Sequence, residues 1–353
     1  MTPIALPAFR IQRGTRQSRT ALTVSIALVA VLATFPGWVE SGTLKVLVEL
    51  FTLLAMAQMW NLLAGYAGLV SIGQQAFIGL GAYGLFVAVD RLGIPVVPAV
   101  VITALACGGV ALLTSVFAFR LSGGYFAVGT WVIAEVFRIV ISNTRELGSG
   151  TGITIQAALR MAPADRGALT YWSALAAGAG SIVVAAFIMR SRLGLALQAL
   201  RDNEVAARSL GVNIFRAKLA IYLVAAIGCA AAGAVIYLQL LRIQPNAAFG
   251  VDWTAKMIFI VIIGGIGRIE GPVVGTLVFF ALQESLADYG SLYLIILGIV
   301  AITVTVLAPQ GLWGMVTRIR PMALFGIERR LVLERPASAP DGPGADEPDE
   351  DGR

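Results

Sequence analysis

The stretch "RDNEVAARSLGVNIFRAK", residues 201–218, is a polar interruption in a chain that is 58% hydrophobic. Asn203 stands where it can cap a short helix running from Glu204 to Leu210, and Gly211 follows as a left-handed stop. Just upstream, "LGLALQAL" (193–200) reads as a second helix lying near an interface. Short helices punctuated on both sides make a compact knob. Two readings of it are open at this point: a docking element for a partner, or an interfacial connector whose arginines rest on the phosphates of membrane lipid.

The flanking sequence decides the fold class. With a mean hydropathy of +0.84 and only 13% charged residues, the 353-residue chain has more apolar side chains than a water-soluble core can cover. It reads as an all-α, polytopic transmembrane helical bundle. At about 20 apolar residues per crossing, the pattern gives about ten spans: 21–37, 45–64, 70–89, 95–119, 124–142, 168–189, 217–240, 253–267, 271–288 and 291–308. The first follows Arg10, Arg13, Arg16 and Arg19, a layout shared with signal sequences. It has no A-x-A site and many spans come after it, so it is expected to stay as a helix.

Orientation follows from Lys and Arg, which crowd cytoplasmic loops. With the N-terminus inside, 17 of them fall on cytoplasmic segments and six on the opposite side. Both termini and the knob are therefore expected in the cytoplasm. The chain divides into a basic N-terminus (1–20), a membrane domain (21–308) containing the loop 190–218, a basic segment (309–335) and a tail (336–353). The tail, rich in Pro, Gly and acid, is expected to be disordered.

Several kinds of chemistry are disfavoured. The chain has no His, which removes the commonest general base, the Ser-His-Asp arrangement and His-ligated metal sites. Cys107 and Cys229 lie deep in apolar runs and read as packing residues. No catalytic residue, metal, cofactor or nucleic-acid partner is expected. "LSGG" at 121–124 matches the signature of ABC ATPases, but a membrane span follows it and no G-x-x-x-x-G-K loop exists in the chain. "GGIGRIEG" at 264–271 lacks the full dinucleotide spacing and reads as a turn.

Two glycine-rich regions, "GYAGLVSIGQQAFIGLGAYG" (65–84) and "GGIGRIEGPVVGTLVFFALQ" (264–283), share a theme that fits a possible internal repeat of interrupted helices, or plain close packing. Ser71, Gln74, Gln75, Tyr83 and Thr130 are polar groups in or beside such spans. They are candidates for a translocation path, and interhelical hydrogen bonds explain them equally well. Among ionisable residues in the spans, Glu49, Glu135, Arg138, Lys256 and Glu284 are costly enough to suspect of function. Glu135 is a further path candidate, although its i,i+3 spacing to Arg138 suits a simple pair. Lys256 and Glu284 fall near span ends, where snorkelling explains them.

Taken together, "GYAGLVSIGQQAFIGLGAY", "ALRDNEVAARSLGVN", "VIIGGIGRIEGPVVG" and "APQGLWG" resemble, in order, the LivM/LivH family of branched-chain amino acid ABC transporter permeases, on the LivM side. The likeness covers about residues 44–315. It implies an inner-membrane subunit of a bacterial importer for branched-chain or other apolar amino acids; related systems carry urea and short amides. It also implies a second related permease, two cytoplasmic ABC ATPase subunits that hydrolyse the ATP, and a periplasmic solute-binding protein. By the same resemblance, the knob is the ATPase-coupling loop, carried by Arg201, Asp202, Asn203, Glu204, Ala206, Ala207, Leu210 and Gly211. The family motif runs Glu-Ala-Ala, three residues, Gly. Ala206, Ala207 and Gly211 keep that spacing, whereas Val205 holds the acidic position and Glu204 comes one residue early. The rival reading, an ion-coupled secondary transporter, would have only Glu49 and the Glu135/Arg138 pair to work with.

Overall fold

The computed structural model describes residues 9–12, 16–286, 292–308, 310–319 and 330–333. In chain order these form β1 (Phe9–Gln12), α1 (Arg16–Ala33), α2 (Ser41–Asn61), α3 (Gln75–Phe86), α4 (Val96–Ala118), α5 (Gly124–Asn143), β2 (Ile153–Thr154), α6 (Gln156–Leu159) and α7 (Pro163–Arg190). Then come α8 (Arg192–Asp202), α9 (Glu204–Ser209), α10 (Ile214–Leu240), β3 (Arg242–Ile243), α11 (Pro245–Ala248), α12 (Asp252–Gly264), α13 (Glu270–Ser285), α14 (Leu292–Leu307), α15 (Gly311–Ile319) and β4 (Arg330–Leu333). π-helical turns extend α2 over Leu62–Tyr66 and α3 over Val87–Arg91. The only sheets among the described residues are two short antiparallel pairs, β1 with β4 and β2 with β3. The first brings the two terminal segments to one side of the molecule.

Seven helical runs among the described residues are long and apolar enough to cross a membrane: Ser41–Tyr66, Val96–Ala118, Gly124–Asn143, Pro163–Arg190, Ile214–Leu240, Pro245–Gly264 and Ile295–Ile319. The chain is a multi-pass, all-α membrane protein. The other three expected segments fall on shorter helices, α1, α3 and α13, of 18, 12 and 16 residues. In the case of 70–89, the helix begins only at Gln75, because the preceding residues run as irregular backbone. The acidic tail, 336–353, lies outside the described residues.

Packing is graded across the bundle. For α2, 78% of its apolar window is buried within the chain, and for α10 61%, whereas the figure for α5 is 28%. The run "AAIGCAAAGAV" (225–235) lets α10 approach its neighbours closely. A Cβ on Gly81 of α3 would strike the backbone of Ala230, and one on Gly233 would strike that of Ile78. Cys229 and Cys107 are both buried and free, as packing residues should be. At one end of the bundle the Asp90 carboxylate accepts from Gln156 N at 2.8 Å and Ala157 N at 2.7 Å. At the other end lie α8, α9, the α4–α5 turn, the α12–α13 turn and α15, which is where the candidate site sits.

Candidate functional site: a capped knob over two glycine breaks

The knob forms as its residues dictate. Ser191 Oγ accepts from Leu193 N (3.1 Å), Asn203 Oδ1 accepts from Val205 N (2.9 Å) and Ala206 N (3.0 Å), and Asn213 Oδ1 accepts from Arg216 N (3.0 Å). These cap α8, α9 and α10 in turn, satisfying amide donors that a helix start leaves open. Where caps are described for the remaining helices, none has a side-chain cap. Gly211, at φ +81°, ends the turn after α9 in the left-handed region that glycine enters without strain.

The eight coupling candidates take different positions. Arg201 Nη1 donates to Gly65 O at 2.6 Å. Asp202 and Ala206 are exposed. Glu204 pairs with Lys218 at 2.9 Å. Ala207 is 1% exposed and faces the chain's own interior, so it has no free surface to offer. Leu210 is 78% exposed, and Val205, where the family motif has its acid, is 76% exposed. The knob thus presents Val205 and Leu210, with the less exposed Leu195 of α8, on a rigidly capped frame. Beside it, a cleft of about 370 Å³ is lined by Gly68, Ser122, Gly124, Arg201, Glu204 and Lys218, which puts the "LSGG" stretch next to the knob as the turn between α4 and α5.

Under the knob the chain breaks its helices twice. In the first break, residues 67–74, Leu69 N reaches back to Leu63 O (3.0 Å), Trp60 Nε1 donates to Ser71 O (2.8 Å), Thr130 Oγ1 accepts from Ile72 N (3.2 Å) and Ser71 Oγ accepts from Gly73 N (3.2 Å). Buried irregular backbone at membrane depth persists only when its polar groups are paired in this way. In the second break, residues 265–269, Asn61 closes both sides: its Oδ1 accepts from Gly267 N and its Nδ2 donates to Arg268 O, each at 2.8 Å. Arg268 Nη1 then donates to Thr317 Oγ1 of α15 at 2.7 Å.

The path candidates divide. Ser71, Gln74 and Thr130 gather at the first break, with Gln74 Nε2 3.5 Å from Ser71 Oγ. Gln75 instead accepts from Thr254 Oγ1 on α12. Tyr83 stacks on Phe249, and its buried hydroxyl has no hydrogen-bond partner among the described residues. Glu135 stands apart: it pairs with Arg138, which also donates to Asn246, and its side chain is 44% exposed. Lys256 lies over the Trp253 ring at 5.2 Å. Sequence reasoning missed Asn61 and Gln58, two fully buried polar residues of α2. Neither side-chain polar atom of Gln58 has a hydrogen-bond partner among the described residues. Their i,i+3 spacing inside "FTLLAMAQMWNLLAGY" was the available signal.

A multi-pass bundle with interrupted short helices, buried polar groups along them and a capped extramembrane knob has the architecture of a membrane permease. Residues 42–305 match the family model described as "Branched-chain amino acid transport system / permease component". The chain belongs to that family, and is a permease component of an ABC importer. It is 24% identical over 316 residues, 82% of this chain and 74% of the relative, to the high-affinity branched-chain amino acid transport system permease protein LivM of Escherichia coli K12. A probable LivM of Methanocaldococcus jannaschii is 24% identical over 172 residues, 48% of this chain and 50% of the relative. The ribose import permease protein RbsC of E. coli K12 is 32% identical over 136 residues, 36% of this chain and 42% of that relative.

Proposed function

We propose that this chain conducts branched-chain or other apolar amino acids across a bacterial inner membrane, paired with a second related permease and driven by two ABC ATPase subunits seated on the α8–α9 knob. The observation that carries this reading is the knob itself: three consecutive side-chain caps hold Val205 and Leu210 out at the end of the bundle where Arg120, Arg190, Arg192, Arg208 and Arg216 also lie. An apolar pair on a rigid frame is a protein-docking surface, since lipid phosphates would ask only for the arginines. A periplasmic solute-binding protein would deliver the solute at the opposite end, near Asp90 and β2–β3. The break residues Ser71, Gln74 and Thr130 are the proposed polar lining of the path, with Gln75 and Tyr83 further along α3; Glu135 has its own partner and contributes least.

The test is assembly and uptake with the ATPase, partner permease and binding protein. Val205→Glu together with Leu210→Glu is expected to insert at wild-type level, lose the ATPase on co-purification and lose uptake. A double variant that keeps both would remove the knob from the mechanism. Orientation is tested separately: reporter fusions after Leu210 and after residue 336 should report the cytoplasm, and one after Gly150 the opposite side. If Gly150 and Leu210 report the same side, the span layout between them is wrong.

A further inference from the structure

The arginines of the knob are not alike. The side chains of Arg192, Arg208 and Arg216 make no hydrogen bond among the described residues, whereas Arg201, although exposed overall, directs its guanidinium to the bundle. Its Nη1 reaches Gly65 O, in the π-helical turn that closes α2, at 2.6 Å. On the other side stands Gly267, at φ +77°, in the second break. A Cβ there would lie 2.6 Å from Arg201 Nη1 and 3.0 Å from Gly65 O, so the guanidinium occupies the space that a side chain on Gly267 would need. Likewise, a Cβ on Gly65 would lie 2.5 Å from Gly267 N. Asn61, one turn before Gly65, binds Gly267 N and Arg268 O directly. The backbone of Gly68, at the start of the first break, passes the same residue: a Cβ on Gly68 would be 3.8 Å from Arg201 Cα. Arg201 of α8 thus bonds the end of α2, fills the space beside Gly267 of the second break and lies next to Gly68 of the first.

We infer that Arg201 is the positioning residue through which displacement of the α8–α9 knob reaches both glycine breaks, by its hydrogen bond to Gly65 and its head group lodged against Gly267. Buried Leu197, Leu200 and Ala207 and the Glu204–Lys218 pair already seat the knob on the bundle. The fork of Arg201, held by a charge-assisted bond to a backbone carbonyl, ties that seat to Gly65 and to the space beside Gly267. Both breaks are irregular backbone packed within the bundle, so they are where a small displacement can change the path.

This inference rests on the proposed function, and the experiment separates the two. The complete transporter, with its ATPases, partner permease and binding protein, is placed in vesicles, and three quantities are read: ATPase retained per permease, ATP hydrolysis with and without solute-loaded binding protein, and solute uptake. Arg201→Ala is expected to retain the ATPase, to lose stimulation of hydrolysis by the loaded binding protein, and to lower uptake at least tenfold. Arg201→Lys, which keeps one donor for Gly65 O, should fall between. Uptake and stimulation within twofold of wild type in Arg201→Ala would overturn the inference. So would loss of the ATPase in that variant, since Arg201 would then be a docking residue.

A variant that misfolds would blur this result, and a covalent substitute removes the ambiguity. A Cβ on Gly68 would sit 4.0 Å from Arg201 Cβ, within the span a disulfide bridges. In a background lacking Cys107 and Cys229, the pair Gly68→Cys and Arg201→Cys should regain stimulated hydrolysis when oxidised and lose it when reduced. The reduced form of the same protein is the baseline, so strain at Gly68 cancels. Equal coupling in both redox forms would overturn the inference. Failure of the functional reading looks different: the double variant at Val205 and Leu210 would then keep its ATPase, whatever Arg201 does.

Discussion

Two asparagines do the same chemical work at very different reach. Asn203 serves Val205 and Ala206, two and three residues along the chain, in an exposed knob. Asn61 serves Gly267 and Arg268, more than 200 residues away, inside the bundle. In water a missing cap is replaced by solvent, so the side chain only sharpens a helix start. Asn61 is fully buried, so no solvent stands in for it, and the same amide group holds two segments of the fold together. The difference is between a local stop and a tertiary clasp.

The largest expected effect comes from breaking the clasp. Asn61→Leu, of similar size, leaves Gly267 N–H and Arg268 C=O without their partner; at about 1–3 kcal/mol for each orphaned group, the loss is about 3 kcal/mol. The midpoint of heat unfolding in detergent should drop by several degrees, and an unchanged midpoint would mean that the second break holds itself. Thr130→Val tests the first break more gently. It removes one acceptor, that of Ile72 N, without changing shape, and should cost about 1–2 kcal/mol in the same assay. The smallest effect belongs to the knob: Asn203→Ala should cost about 1 kcal/mol. It should show as faster hydrogen exchange confined to α9, with the bundle untouched. If Asn203→Ala lowers global stability as much as Asn61→Leu, the contrast between stop and clasp collapses.

This contrast also explains what could be read from the sequence. The Asn203 cap, the left-handed turn at Gly211 and most helix positions were legible because their causes lie within a few residues. "RDNEVAARSLG" contains both the capping side chain and the donors it serves. The Glu135–Arg138 pair was legible for the same reason, being one helical turn apart. The clasp was not, because nothing near Asn61 in sequence names Gly267 as its partner. The first break was half visible: its glycines announced an irregularity, yet the apolar run through Leu69, Val70 and Ile72 still read as continuous span. Ala207 fitted the spacing of a docking motif, but its burial depends on how α9 folds back toward the bundle, which spacing alone does not specify. The two glycine-rich regions share a helix–break–helix order, but one break spans 67–74 and the other 265–269, and their polar groups are satisfied by different partners.

The burial of α2 sets an order of events during synthesis. Every helix that wraps it closely, α7, α10, α12 and α13, follows it in the chain. Its mean hydropathy is 1.6 against 2.4 for α4, so a segment less suited to lipid than α4 enters the membrane before most of the protein that will cover it exists. At about 5–20 residues per second, the 206 residues between Asn61 and Gly267 take about 10–40 s to make. Until α7 and α10 are made, α2 lacks the helices that cover it most, and Asn61 has no Gly267 to bind until the end of that interval.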